Sequence, residues 1–247
     1  MKHKTISICC IISVIILVLF GYYEWIIFAG IFWLGCTAWG AFDIRLGYFL
    51  PVIYRQKTTK KNIAITFDDG PTEFTPKILD LLKKYKANAT FFCIGKQIDL
   101  HTNIAQRIHA EGHQLANHSY SHSNSFGFLS AEKVQQELQQ TNLLLQEITR
   151  QQNHYFRPPF GVTNPHIAKA IKKLKLTVIG WNIRSLDTVI DDENKILKRV
   201  TTKIKPGSII LLHDTSDRTI RVLERLLLTL QRENYQIVTI DKLLKNE

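Results

Sequence analysis

From residue 62 onward the chain breaks into seven short apolar runs, at 63–67, 89–94, 114–116, 155–157, 177–181, 208–213 and 236–240, each separated from the next by a longer stretch of helical character. Runs this short and this apolar read as strands covered on both faces. Strands that alternate with helices are joined by crossovers and therefore lie parallel. The expected fold class is α/β, either an incomplete barrel or an open sheet. Helix ends are marked as well. Thr75-Pro76 and Asn164-Pro165 each offer a capping side chain ahead of a first-turn proline. Gly112 closes a helix over 104–111, Ser130 caps one running to Ile148, and 215–233 forms the last long one.

Ahead of this pattern, residues 6–23 carry no charge, Glu24 interrupts, and residues 25–42 are uncharged again. Each run has about the 18 apolar residues that a membrane-spanning helix needs. A cleaved signal peptide fits less well, because the apolar part is too long and no small-x-small cleavage site follows. The expectation is a membrane anchor over residues 1–50, of one or two transmembrane helices, and a catalytic domain over 60–245. Tyr22, Tyr23 and Trp25 form an interfacial aromatic belt around Glu24. Lys2 and Lys4 precede the pair, and Arg45, Arg55, Lys57, Lys60 and Lys61 follow it. Positive charge at both ends favours two spans with both termini cytoplasmic, in an inner or cytoplasmic membrane. A single span with an interfacial second segment would put the domain outside.

The net charge of +11 invites a nucleic-acid reading. The basic residues are spread along the helices without long runs or interleaved aromatics, so nucleic acid is set aside and anionic membrane lipid is the expected partner. Cys9, Cys10, Cys36 and Cys93 show no CxxC spacing, so neither a zinc knuckle nor a disulfide framework is indicated.

The polar residues then fall at telling places. Asp68 and Asp69 follow the first run, His118 the third, Arg157 ends the fourth and His213 ends the sixth. In a parallel barrel these ends open on one face. Two adjacent carboxylates at the lip of a buried strand repel each other and lose hydration, a cost that chains bear mainly to hold a metal or move a proton.

Taken in order, Thr66-Phe-Asp-Asp-Gly70, His118-x-x-x-His122, Arg157-Pro-Pro-Phe160, Trp181 to Asp187 and Leu211-Leu-His-Asp214 resemble the motifs of the polysaccharide deacetylase family, the NodB-homology domains of carbohydrate esterase family 4. The resemblance covers roughly residues 60 to 240 and implies a distorted seven-stranded (β/α)7 barrel. It implies that Asp69, His118 and His122 hold a divalent metal, Zn²⁺ foremost, with Co²⁺ also suited to the donor set. By the same resemblance Asp68 is the general base, Arg157 tethers Asp68, His213 is the general acid, and the Phe160 backbone N–H meets the developing oxyanion.

Phe160 stands where relatives commonly carry tyrosine. The fourth motif departs further: Arg184 replaces a frequent aspartate and Thr188 a frequent tryptophan. Asp187 is then the nearest candidate to support His213, and Trp181 reads as core. The implied reaction is metal-dependent hydrolysis of N-acetyl groups on amino sugars of an envelope polysaccharide or peptidoglycan, releasing acetate. Alternatives that use the same residues are an O-acetyl esterase and a deacetylase or deformylase of a lipid-linked sugar. A catalytically inactive glycan-binding module is the reading from a different class.

Overall fold

The computed structural model describes residues 2–245. Nine strands form one parallel sheet: β1 (Val52–Ile53), β2 (Asn62–Asp68), β3 (Thr90–Cys93), β4 (Gln114–Asn117), β5 (Tyr155–Phe156), β6 (Thr177–Ile179), β7 (Ile183–Arg184), β8 (Ile209–His213) and β9 (Gln236–Ile237). Their order in space is β1-β6-β5-β4-β3-β2-β8-β7, with β9 paired to the start of β2. The helices are α1 (Lys2–Leu19), α2 (Ile26–Phe42), α3 (Thr75–Lys84), α4 (Gly95–Leu100), α5 (Thr102–Ala110), α6 (Ala131–Thr149), α7 (Pro165–Leu174), α8 (Glu193–Thr201), α9 (Asp217–Arg232) and α10 (Ile240–Lys245).

The sheet curls. Past β1, Gln56 N–H donates to Gly207 O at 2.8 Å and Arg55 bridges Ser208, so the far edge of the path returns to the root of β8. This is the distorted (β/α)7 barrel. Every residue of β2 is buried, because strands flank it and helices cover it. Phe67, Phe91, Leu79, Leu226 and Leu230 belong to the largest core cluster, between the sheet and α3 and α9.

All seven anticipated strands are present. The two that were missed, β1 and β7, are two residues long each and too short to carry a period. One helix signal was misread. Thr75 does not cap α3; the residue ahead of the helix is Phe74, which makes no side-chain cap. The Thr75 hydroxyl instead donates to Asp214 Oδ2 at 2.5 Å and accepts from Thr72 N–H at 2.7 Å. Asn164 and Ser130 do cap their helices, bonding Ile167 N–H and Lys133 N–H. The last long helix begins two residues later than expected, at Asp217, where Ser216 provides the cap.

Residues 2–42 form an antiparallel helical hairpin. Trp33 Nε1 donates to Ser7 Oγ at 3.0 Å across the pair, and the turn lies around a short 3₁₀ segment, Tyr23–Trp25. Both helices are long and apolar enough to cross a membrane, by length and composition. The open base of the hairpin is docked on the domain. Lys2 Nζ donates to Leu46 O, His3 N–H to Tyr48 O, and Thr163 N–H to Ala41 O, at 2.8, 3.1 and 3.0 Å. Gly40 makes this approach possible, since a Cβ there would stand 2.3 Å from the Tyr48 ring.

Candidate active site

Asp68 is the last residue of β2 and is in register with His213, the last residue of the neighbouring β8. The parallel register thus sets a carboxylate beside an imidazole at one lip of the sheet. Asp69 leaves the strand with φ +76°, which turns its side chain towards the loop after β4. Gly70 follows, and a Cβ at that position would stand 2.0 Å from Asp214 Oδ2. Only glycine lets the loop sit on that carboxyl. Burial pushes Asp214 up to about 7, despite the hydrogen bond from Thr75.

His118 and His122 come from the loop after β4, which bends through positive φ at Ser119 and His122. Glu137 on α6 clamps this loop, its Oε2 accepting from Tyr120 N–H, Ser121 N–H and Ser121 Oγ at 3.1, 2.7 and 3.0 Å. His118 Nδ1 lies 2.7 Å from Arg157 O. A carbonyl only accepts, so Nδ1 carries a proton and Nε2 is the ring nitrogen turned towards Asp69. Both His118 Nε2 and His122 Nε2 stand 3.4 Å from Asp69 Oδ1. Burial, aided by the neighbouring His118, lowers the His122 pKa and keeps that ring neutral. Burial would raise Asp69, but a hydrogen bond from His118 and the positive charge that His118, His213 and His122 carry when protonated outweigh burial and bring it down to about 2.

This donor set suits a divalent ion. One carboxylate and two imidazoles have their ligating atoms within 4.8 Å of one another. Ligands about 2.1 Å from a tetrahedral centre stand about 3.4 Å apart, which is the distance from Asp69 Oδ1 to each of the two imidazole nitrogens. The backbone carbonyl behind His118 is the outer partner that metal-ligating histidines commonly use to fix their tautomer.

Arg157 is completely buried. Its Nη1 donates to Asp68 Oδ1 and Thr66 Oγ1 at 2.7 Å each, Nε to Ile179 O at 3.1 Å and Nη2 to Gly180 O at 3.0 Å. The guanidinium lies 4.0 Å above the Phe92 ring. Such an arginine serves the carboxylate, and it leaves Asp68 Oδ2 on the cavity side, 3.9 Å from His118 Nε2.

Asp187 stands behind His213. Its Oδ1 is 2.9 Å from His213 Nδ1, its Oδ2 accepts the His213 N–H at 2.8 Å, and Ser185 and Thr219 hydroxyls donate to its two oxygens. Burial pulls His213 down. The hydrogen bond and charge of Asp187, helped by Asp68 and Asp69, outweigh that and raise it to about 9.

The cavity these groups line holds about 220 Å³. Phe160 sits at its rim with φ +59°, its ring 4.7 Å from His122, and its N–H takes no partner among the described residues. Trp181, expected in the core, is half-buried and lines the cavity together with Arg184 and Thr188. Of the residues expected at the site, Asp68, Asp69, His118, His122, Phe160 and His213 line the cavity, while Arg157 and Asp187 stand behind Asp68 and His213. Thr66, Glu137, Ser185 and Thr219 also hold the site and were not expected. Of these, Thr66 and Ser185 lie inside motif segments, Thr66-Phe-Asp-Asp-Gly70 and Trp181 to Asp187, whereas Glu137 and Thr219 lie outside them.

The sequence profile described as polysaccharide deacetylase matches residues 55–179. A peptidoglycan-N-acetylglucosamine deacetylase of Listeria monocytogenes is 34% identical over 199 residues, 78% of this chain and 41% of the relative, so the chain spans about two fifths of that protein. A peptidoglycan-N-acetylmuramic acid deacetylase of Bacillus subtilis is 33% identical over 196 residues, 77% of this chain and 74% of the relative. Among solved structures, a CE4 family pseudoenzyme from Bacillus anthracis superposes with a TM-score of 0.73 at 30% identity, covering 79% of this chain and 69% of that one. With the profile matched across half its length and relatives a third identical over most of it, the chain belongs to the polysaccharide deacetylase family.

Proposed function

We propose that residues 60–245 are a metal-dependent carbohydrate deacetylase that hydrolyses N-acetyl groups on amino sugars of an envelope polysaccharide or peptidoglycan. A fold-mate that is a pseudoenzyme means that the fold alone does not carry this reading. The observation that does is the cavity where Asp69, His118 and His122 offer a complete donor set while Asp68 and His213 flank it. The family names of the relatives support the substrate class.

The ion, Zn²⁺ or Co²⁺, would be held by Asp69, His118 and His122; when bound, it supplies a Lewis acid that acidifies water and polarises an amide carbonyl. Asp68 Oδ2 is placed to take the proton of the attacking water, with Oδ1 held by Arg157. The Phe160 N–H is free to meet the oxygen that gains charge as the carbonyl carbon becomes tetrahedral. As the carbon–nitrogen bond breaks, His213 Nε2 gives its proton to the departing nitrogen. The products are acetate and a free amine. Phenylalanine in place of tyrosine leaves this backbone donor intact.

With Asp69→Ala, acetate release from N-acetylglucosamine oligomers by the Zn²⁺- or Co²⁺-loaded chain is expected to vanish, and bound metal to fall from about one ion per chain to none. Release that persists in the variant removes the metal site from the mechanism.

The apolar helices α1 and α2 are proposed to form a two-span anchor within residues 1–50. An antiparallel hairpin docked at its base would have both ends on one side of the membrane, and the basic residues at those ends support the cytoplasmic side. A C-terminal fluorescent reporter that folds only in the cytoplasm is expected to light up. Activity of a C-terminal alkaline phosphatase fusion, which needs export, would instead put the domain outside.

A further inference from the structure

A second depression, of about 380 Å³, shares two lining residues, Trp181 and Arg184, with the catalytic mouth. Arg184 ends β7, Arg199 comes from α8, Lys203 from just beyond it, and Arg45 and Asp43 from the segment after α2. Asp43 is the depression's only acid, and Arg45 already holds it through two bonds of 2.8 and 2.7 Å. Three cations remain. Arg199 is aimed by its Nε, which donates to Arg184 O at 2.9 Å. Arg184 lies over the Trp181 ring at 5.8 Å. Neither Arg184 nor Lys203 has a carboxylate partner among the described residues. Like charges gathered without acids repel one another unless an anion joins them, and guanidinium groups match phosphate oxygens in shape and charge.

Part of the lining is apolar. Trp39 and Phe42, 65% and 74% exposed, close the depression from the last turn of α2. This is the base of the hairpin, and the Thr163 N–H to Ala41 O bond ties it to the loop that follows Phe160 and Gly161. Hairpin base and catalytic mouth thus each share wall residues with the cationic depression. A ligand that satisfies all three has a hydrocarbon chain beside the hairpin, phosphate against the three cations and a sugar in the mouth.

We propose that the depression is a phosphate subsite, through which this enzyme takes its N-acetylated amino sugar as a lipid-linked phosphate or pyrophosphate rather than as finished polymer. The proposal rests on the deacetylase reading above and specifies its substrate. A single carboxylate, such as that of a muramoyl lactyl group, needs one arginine. Three cations without carboxylate partners lining one depression suit the two charges of a pyrophosphate.

The test uses the full chain in detergent micelles with Zn²⁺ and three substrates: a short-chain prenyl diphosphate N-acetylglucosamine, UDP-N-acetylglucosamine and neutral N-acetylglucosamine oligomers. The prenyl substrate is expected to give the highest kcat/KM, by about tenfold or more. Lys203→Glu, an exposed position where folding is not at stake, and Arg199→Gln are each expected to shrink that preference about tenfold, mainly through KM. A preference that is absent, or unchanged in both variants, overturns the subsite. UDP-N-acetylglucosamine turned over as well as the prenyl substrate overturns the lipid source. If no substrate yields acetate, the deacetylase reading is what has failed. The subsite is then decided by prenyl diphosphate sugar binding, followed through tryptophan fluorescence, which must weaken in Lys203→Glu for it to stand.

Discussion

Asp68→Asn is expected to lower kcat by about 10²–10⁴ while bound zinc stays at the wild-type level. The amide keeps the volume of the carboxylate and can still accept from Arg157, but it cannot take a proton from water. Zinc content is untouched because Asp68 is not one of the three convergent donors. A second effect follows from burial. Asp68 is 4% exposed and Arg157 is not exposed at all, so the exchange leaves a buried guanidinium without its counter-charge. Breaking such a pair costs about 3–5 kcal/mol. Here the loss is moderated by Ile179 O and Gly180 O, which continue to accept from Arg157. Thermal unfolding and kcat per folded molecule therefore have to be read together. A variant that melts early yet turns over at the wild-type rate would show that Asp68 only neutralises Arg157, and would sink the general-base role.

Much of this site was legible because a parallel sheet converts sequence position into geometry. Asp68, Arg157 and His213 were recognisable as residues at or just past the ends of apolar runs, and all such ends meet at one lip. The register partnership of Asp68 with His213 is the structural form of that rule. Supporting residues were illegible for the opposite reason. Glu137 lies on the solvent-patterned α6 and Thr219 in the first turn of α9, where acids and hydroxyls are ordinary, and nothing local marks one that reaches a loop far away in sequence. Thr75 shows how a local signal can mislead: a hydroxyl ahead of a proline looks like a cap, yet the buried Asp214 carboxyl claims it. Docking of the hairpin was invisible because backbone carbonyls at Leu46, Tyr48 and Ala41 accept the bonds, and every residue has a carbonyl. Trp181 was placed in the core because it follows a buried strand. Its ring in fact spans core and cavity, which is common for a side chain with a large apolar body.

Asp187→Asn is expected to move the alkaline limb of the pH–rate profile to lower pH and to cut kcat at pH 8 by about 10² or more. His213 must be protonated to donate to the leaving nitrogen, so the rate falls as pH rises through its folded pKa. With Asp187 in place that pKa is raised from 6.5 to about 9. Among the influences on His213, burial alone favours the neutral ring, and Asp187 is the foremost of those opposing it. Removing the carboxylate leaves only the charges of Asp68 and Asp69 to oppose burial, so the limb shifts down and less of the acid remains at pH 8. The substitution also disturbs the tautomer, since Nδ1–H needs an acceptor and a side-chain amide would offer an N–H in one of its two orientations. A divalent ion beside Asp69, whose Oδ2 lies 4.0 Å from His213 Nε2, lowers the limb of both proteins alike. Comparing them at equal metal loading therefore isolates the carboxylate. An alkaline limb that stays in place in Asp187→Asn would mean that a group other than His213 supplies the proton. A limb that moves down with kcat preserved on its acid side would confine Asp187 to tuning the histidine's pKa, with no part in orienting it.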